Sequence, residues 1–347
     1  MKSVDQYWYK KTIDVPIRLK FLVPLFWLGM TLRRWAYALR IFRSYKPKVP
    51  VIVVGNITVG GSGKSPVVIW LVNELKQAGY TPGIVSRGYK GQSETWPQQV
   101  RPDSDPTMVG DEPVLIARRC QVPMAVGPER VDAIKALMGA HPDINVIVSD
   151  DGMQHYAMRR DIEIGVIDGE RRFGNGYLLP AGPLREPVRR LRKFDFLIVN
   201  GGKTAETVHG TEYGMKLEFL HTYNVKTPSK TKKIASIAGL EVDAVAGIGN
   251  PDRFFRQLSR SGVSVKGKHS FADHHNFEPS DLDFDTGRDV FMTEKDAVKC
   301  ERFAQSNHWC VTVDASISEG LSEKILELLE KKISRRKLKW IPNYSTF

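Results

Sequence analysis

The stretch Val51 to Ser65, VIVVGNITVGGSGKS, constrains this chain more than any other. An apolar, β-branched run stops at a Gly/Ser-rich loop, and the loop stops at Gly63-Lys64-Ser65, where a helix-like pattern begins. A strand that feeds a glycine loop into a helix leaves the first N–H groups of the helix unpaired. Together with the positive helix end they face whatever lies in front of them. A nucleotide phosphate suits that place, with a lysine reaching the β- and γ-phosphates and a hydroxyl on Mg²⁺. The residues read in this way are Thr58, Val59, Gly60, Gly61, Ser62, Gly63, Lys64 and Ser65. The usual spacing has a glycine five residues before Gly63; here Thr58 stands there, and Gly60 and Gly61 supply the backbone freedom. The plain alternative is a tight strand-to-helix turn, because short motifs recur by chance.

A second element belongs with the first. Asn145 to Ser149 (NVIVS) has the composition of a buried strand and runs into Asp150-Asp151-Gly152. Acids at a strand end downstream of a phosphate loop form the usual Mg²⁺ side of such a site. One or two hard oxygen ligands, with water and phosphate filling the rest, suit that ion. In this order the two elements predict a nucleotide with Mg²⁺, held by Ser65, Asp150 and Asp151.

Strand-like and helix-like patterns alternate through most of the 347 residues, an α/β rhythm with sequence enough for two domains. Strands are expected at Gly83 to Ser86, Pro123 to Val126, Ile162 to Ile167 and Phe194 to Val199, and helices after Pro66, Asp111 and Pro128. Gly91 to Thr107 and the Gly/Pro-rich segment Gly174 to Glu186 read as loops. Gly201 to Thr211 has little apolar content and marks a boundary. Beyond it, strands are expected at Ile234 to Ala238, Val245 to Ile248, Val263 to Lys266, Val290 to Met292 and Cys310 to Val313. Helices are expected at Pro251 to Ser259, Asp296 to Ala304 and Leu321 to Ile333. The chain thus divides into an N-terminal segment (1–48), a phosphate-loop domain (49–210) and a smaller α/β domain (211–347).

Charge singles out the N-terminus. Residues 1–48 hold eleven Lys/Arg against Asp5 and Asp14, and so supply +9 of the net +12. Phe21 to Leu32 is uncharged but only twelve residues long, and Pro24 and Gly29 interrupt it. A bilayer-spanning helix needs about 20 apolar residues, and Arg33-Arg34 follows where a signal peptide would have a small-residue cleavage site. From Leu28 to Phe42 the period is helical, with Leu28, Leu32, Trp35, Leu39 and Phe42 on one side and Arg33, Arg34, Arg40 and Arg43 on the other. An aromatic apolar face opposite an arginine face suits an anionic membrane surface; the alternative is a helix packed on the protein core.

Spacing assigns less to the remaining polar residues. Asp111, in Gly110-Asp111-Glu112-Pro113, is explained by spacing as a helix N-cap. His274 and His275 are adjacent and point apart, with no third ligand nearby, so no zinc site is read there. Cys120, Cys300 and Cys310 form no C-x-x-C pair and read as reduced thiols of a cytosolic protein.

Taken together, the motifs resemble a known family. Gly55 to Pro66 is similar to the loop of the tetraacyldisaccharide 4'-kinases of lipid A biosynthesis. Ser86-Arg87-Gly88-Tyr89, Gly110-Asp111-Glu112-Pro113, Asp150-Asp151-Gly152-Met153-Gln154-His155 and Leu179 to Glu186 match in the family's order. So do Gly247-Ile248-Gly249-Asn250-Pro251, Asp273-His274-His275 and Thr293-Glu294-Lys295-Asp296. Ser65 replaces the usual threonine and Met153 the usual phenylalanine. The GG-S-GK form with Thr58 is the family's own.

The resemblance implies a P-loop NTPase α/β/α sandwich with a smaller α/β domain closing over ATP. It also implies transfer of the γ-phosphoryl to the 4'-hydroxyl of a tetraacylated diglucosamine 1-phosphate at the cytoplasmic face of the inner membrane. By resemblance Asp111 is the catalytic base and His274 its partner, with His275 the other candidate. Lys64 acts on the phosphates, and Arg87, Gln154, Arg185 and Glu186 are substrate candidates; Arg185 and Glu186 also read as a structural pair near the domain junction. Neither nucleic acid nor an obligate protein partner is expected. The rival functions are a membrane-associated regulatory NTPase that modifies no lipid, and a nucleic-acid-binding ATPase. The second is disfavoured because the charge sits on an apolar N-terminal helix.

Overall fold

The computed structural model describes residues 5–9, 14–201, 206–207 and 210–338. The β-branched runs form the sheet. Its first strands are β1 (Val51–Gly55), β2 (Pro82–Ser86), β3 (Gln98–Val100), β4 (Met124–Val126), β5 (Val146–Asp150), β6 (Ile162–Asp168) and β7 (Phe196–Asn200). Next come β8 (Glu206–Thr207), β9 (Gly210–Asn224), β10 (Thr231–Lys233), β11 (Glu241–Ala246), β12 (Ser264–Ser270), β13 (Asp289–Thr293) and β14 (His308–Ile317). The sheet runs β12-β11-β13-β14-β9-β7-β6-β1-β5-β2-β4-β3, with β8 and β10 on β9. β1 lies between β5 and β6, parallel to both. All five residues of β1, β2 and β5 are buried, which fits strands covered on both faces.

The α-helices are α1 (Asp5–Tyr9), α2 (Ile17–Ala38), α3 (Lys64–Gln77), α4 (Pro106–Val109), α5 (Asp111–Cys120), α6 (Arg130–Ala140), α7 (Pro251–Arg260), α8 (Glu294–Cys300) and α9 (Leu321–Leu338), and α3 and α5 to α9 cover those faces. The period-2 alternation of β1 divides its side chains between two layers. Ile52 and Val54 pack with Val68, Leu71 and Leu75 of α3, while Val51 and Val53 pack with Ala133, Ile134 and Leu137 of α6. Helix α9 returns to the first layer, inserting Leu321, Ile325 and Leu329 at intervals of four residues. Around β11 and β13, Ala244 and Phe291 pack with Phe254, Phe255 and Leu258 of α7, and Val245 and Met292 with Ala297 and Cys300 of α8. The fold is a mixed α/β architecture on a parallel-rich sheet.

Several expectations need correction. Helix α2 starts at Ile17, runs through Pro24 and Gly29, and stops at Ala38, short of Phe42. Pro24 removes one N–H donor to the carbonyl of Lys20, but the Leu, Met and Arg residues around it favour the helix. None of its residues is buried, so the core-packed alternative does not hold. Among the described residues, no helix is long and apolar enough to cross a membrane.

Ile234–Ile237 is a 3-10 turn rather than a strand, entered directly from β10. The 91–107 loop contains the edge strand β3, antiparallel to β4. The helix expected through Ala304 ends at Cys300 and passes into a 3-10 turn, Glu301–Phe303. Strand β9 has no counterpart among the expected elements. It pairs parallel with β7 and antiparallel with β14, carrying one sheet across the chain. Within the expected 201–211 boundary, residues 202–205 and 208–209 lie outside the described residues, as do 1–4 and 10–13 of the basic N-terminal segment.

Candidate active site

Polar side chains gather where the parallel strands end, the usual ligand crevice of open α/β sheets. The loop after β1 is tied down on three sides. Asn56 Nδ2 donates to Ser62 Oγ at 3.1 Å and to Thr58 Oγ1 at 3.4 Å. The Val59 N–H donates to the Pro183 carbonyl at 2.8 Å, and Thr58 forms an antiparallel bridge with Leu184. Asn200, at the end of β7, donates from Nδ2 to the Ser62 carbonyl at 3.0 Å and accepts from Arg253 of α7 at 2.6 Å. Thr58 therefore stands where a bridge is needed. The left-handed positions are Gly60 (φ +103°) and Gly63 (φ +90°). Gly63 is the N-cap of α3 and offers no side-chain cap, which leaves the N–H groups from Lys64 onward for a ligand. A Cβ on Gly61 would meet nothing within 4 Å, and one on Gly249, after β11, would lie 4.0 Å from the Gly61 nitrogen.

The two acids at the end of β5, Asp150 and Asp151, have opposite environments. Asp150 is buried and accepts from Ser86 Oγ at 3.0 Å. Burial, reinforced by the charges of Glu112 and Asp151, pushes its carboxyl up to about 7. Asp151, in the left-handed region at φ +46°, lies 3.1 Å from Arg185 and 3.8 Å from Lys64 Nζ. Burial would raise its pKa, but Lys64 and Arg185 outweigh it and hold the carboxyl at about 2. Oδ1 of each acid is buried without a hydrogen-bond partner. Buried carboxylate oxygens without donors are the exception in folded proteins, and with the half-buried Ser65 hydroxyl they form a donor set fit for a hard cation such as Mg²⁺.

Opposite, Asp111 opens α5, with Gly110 rather than Asp111 as the N-cap. Its carboxylate lies 3.0 and 3.2 Å from Nδ1 of His274, which comes from the loop after β12. Burial would raise the Asp111 pKa, but the His274 hydrogen bond and the Lys295 charge bring it below the usual carboxylate range. His274 itself sits at φ +64°, its N–H bonded to the Gly247 carbonyl and its ring 5.4 Å from that of Tyr89. His275 turns away to Asp281 at 2.9 Å, so of the adjacent pair only His274 reaches Asp111.

A cavity of about 1560 Å³ reaches His274 and Glu112, with the buried Asp111 standing behind them rather than in its wall. It is lined by the phosphate loop, Asp150, Asp151 and His274, and it extends to Leu25, Phe26 and Met30 of α2. Arg87 is an exposed part of its wall. Arg185 and Glu186 do not pair with each other. Arg185 goes to Asp151, whereas the fully buried Glu186 accepts from Gln154 and Tyr156 at 2.9 Å and faces Arg190 at 3.4 Å. Gln154 also donates to the Asn56 carbonyl at 3.2 Å, so Gln154 and Glu186 brace the loop from below. Asn200 and Arg253 escaped the sequence reading, and Ser86, Glu112 and Lys295 appeared there only within matched motifs, without a role. Ser86 and Asn200 sit at strand ends and Lys295 at the start of the helix after β13, and that location was the available signal.

The sequence profile of the family described as tetraacyldisaccharide-1-P 4'-kinase matches residues 16–330. A tetraacyldisaccharide 4'-kinase from Nitrosococcus oceani is 46% identical over 333 residues, 95% of each chain. One from Methylobacillus flagellatus is 48% identical over 334 residues, covering 95% of this chain and 98% of its own. The crystal structure of LpxK from Aquifex aeolicus in complex with ATP is similar at TM-score 0.75 and 27% identity, over 90% of this chain and 98% of that one.

Proposed function

The chain belongs to the tetraacyldisaccharide 4'-kinase family, the kinases of lipid A biosynthesis, and from that premise we propose how its residues carry the reaction. The γ-phosphoryl of ATP passes in line to the 4'-hydroxyl of a tetraacylated diglucosamine 1-phosphate, with Asp111 as proton acceptor. The observation that carries this reading is the Asp111–His274 contact, 3.0 Å long, whose His274 lines the same cavity as Lys64 and Asp151.

Phosphoryl transfer needs positioning and charge neutralisation more than covalent participation by the protein. The backbone of Gly60 to Gly63 cradles the phosphates and Lys64 pairs with the β- and γ-oxygens. Ser65, Asp150 and Asp151 would hold Mg²⁺, which when bound would add positive charge beside the phosphates. Asp111 takes the proton as the sugar oxygen bonds to phosphorus and ADP leaves. Its lowered pKa keeps it ionised at neutral pH but makes it a weak base, so it accepts the proton only as the sugar oxygen gives up charge to phosphorus, and its contribution lies in position. Because His274 belongs to the 211–347 unit and Asp111 to the 49–210 unit, closing the cleft assembles the base.

Helix α2 docks on the anionic cytoplasmic face of the inner membrane. Its unburied Phe, Leu and Trp side chains support that reading, and the cavity reaching Leu25, Phe26 and Met30 gives an acylated substrate an apolar approach. Incubation with γ-labelled ATP and the disaccharide lipid tests the proposal. Label in the lipid is expected; label released only as phosphate would favour the regulatory NTPase.

A further inference from the structure

Lys295, the second residue of α8, touches three groups at once. Its Nζ lies 3.1 Å from Glu112 Oε1 on α5, 3.1 Å from Asp273 Oδ1 and 3.1 Å from Nε2 of His274. From this geometry we infer that Lys295 is a positioning residue that fixes His274 as the neutral Nδ1–H tautomer. The inference rests on the reading of Asp111 as the base.

An ammonium has three donors and no acceptor. Two of the three meet carboxylates, and the third meets the Nε2 lone pair. Burial lowers the lysine's pKa, but Glu112, Asp111 and Asp273 outweigh it and keep the group charged. A ring nitrogen that accepts carries no hydrogen, so the one proton of the neutral imidazole lies on Nδ1, aimed at the Asp111 carboxylate. An imidazolium would set N–H against ammonium with no acceptor between them. The charged groups facing the ring are Asp111, Asp273 at 3.8 Å and Lys295, with Glu112 behind the lysine.

Two consequences follow for the reaction. His274 cannot relay the substrate proton: its Nδ1 already holds one and its Nε2 is capped, so the proton taken from the sugar hydroxyl stays on Asp111. The ring instead orients and stabilises the carboxylate. Lys295 also joins α8 to α5 through Glu112, so the bond that sets the tautomer forms together with closure of the cleft.

The test is long-range ¹H–¹⁵N NMR on the full chain labelled at histidine, with His274 assigned by its loss in His274→Gln. An unprotonated Nε2 and a protonated Nδ1 are expected in the wild type. Lys295→Met should shift His274 toward the Nε2–H tautomer or the imidazolium and lower kcat by on the order of 10²-fold, with KM for ATP little changed. Lys295→Arg, which keeps a donor, should keep the tautomer and recover most of the rate. A protonated Nε2 in the wild type, or an unchanged tautomer in a folded Lys295→Met, would overturn the inference. If Asp111→Asn turns over normally, the base reading fails whatever the NMR shows. If Asp111→Asn is inactive while the ring is in the other tautomer, only the role of Lys295 fails.

Discussion

Replacing Gly63 by alanine tests how the phosphate loop is held. Gly63 has φ +90°, and a Cβ there would overlap the Asn200 amide that donates to the Ser62 carbonyl. A left-handed backbone costs a non-glycine residue about 1–2 kcal/mol, and losing the Asn200 bond costs about 0.5–1.5 kcal/mol more. Gly63→Ala should therefore destabilise the protein by roughly 1.5–3.5 kcal/mol, summing those two effects. Gly61→Ala is the control. A Cβ there meets nothing and the backbone is not left-handed, so stability should change by no more than about 0.5 kcal/mol. Urea unfolding of both variants and the wild type, at one temperature and without nucleotide, gives the comparison. Equal midpoints for the two variants, or a neutral Gly63→Ala, would refute the account of how Asn200 and the left-handed turn hold the loop.

Three further perturbations address other parts of the molecule. Lys64→Ala should weaken ATP binding at least about tenfold, through loss of a charge-assisted contact, and should abolish turnover; titration calorimetry showing wild-type affinity would count against the nucleotide site. Phe21 and Leu25 are 75% and 67% exposed, so burying each in a bilayer is worth about 1–2 kcal/mol. The double serine variant should then bind anionic vesicles about 30- to 1000-fold more weakly, and undiminished co-sedimentation would remove α2 from the membrane contact. Burial, with Arg130, Arg33 and Arg160 nearby, lowers the His155 pKa from 6.5 to about 4. In that window the unfolded chain binds a proton that the folded chain does not, so stability falls as pH drops from 6.5 toward 4. His155→Gln should flatten the decline, and identical pH profiles would sink this explanation.

The local geometry of the candidate phosphate loop was legible because its parts are contiguous: a strand, a glycine-rich turn and a helix start, with two acids at a later strand end. The partner of Asp111 was not legible from spacing, since His274 lies 163 positions away and no spacing rule joins them; only the family resemblance named it. Spacing alone favoured an N-cap for Asp111, and the family resemblance pointed to the base. Asn200 and Arg253 are ordinary polar residues until β7 and α7 bring them beside Ser62. β9 stayed hidden because its segment, GTEYGMKLEFLHTYN, mixes charged and apolar residues without a clean period. In α2 the error lay in treating Pro24 as a stop, when a single missing donor leaves the helix intact on both sides.

The central claim is that the carboxylate of Asp111, oriented by His274 from the other side of the cleft, accepts the proton of the attacking hydroxyl. The most direct measurement is the rate of lipid phosphorylation by Asp111→Asn, with the ATP dissociation constant determined on the same sample. A fall in kcat of about 10²- to 10⁴-fold with ATP affinity within about twofold of wild type is the expected result. Near-normal turnover with ATP bound as before would contradict it.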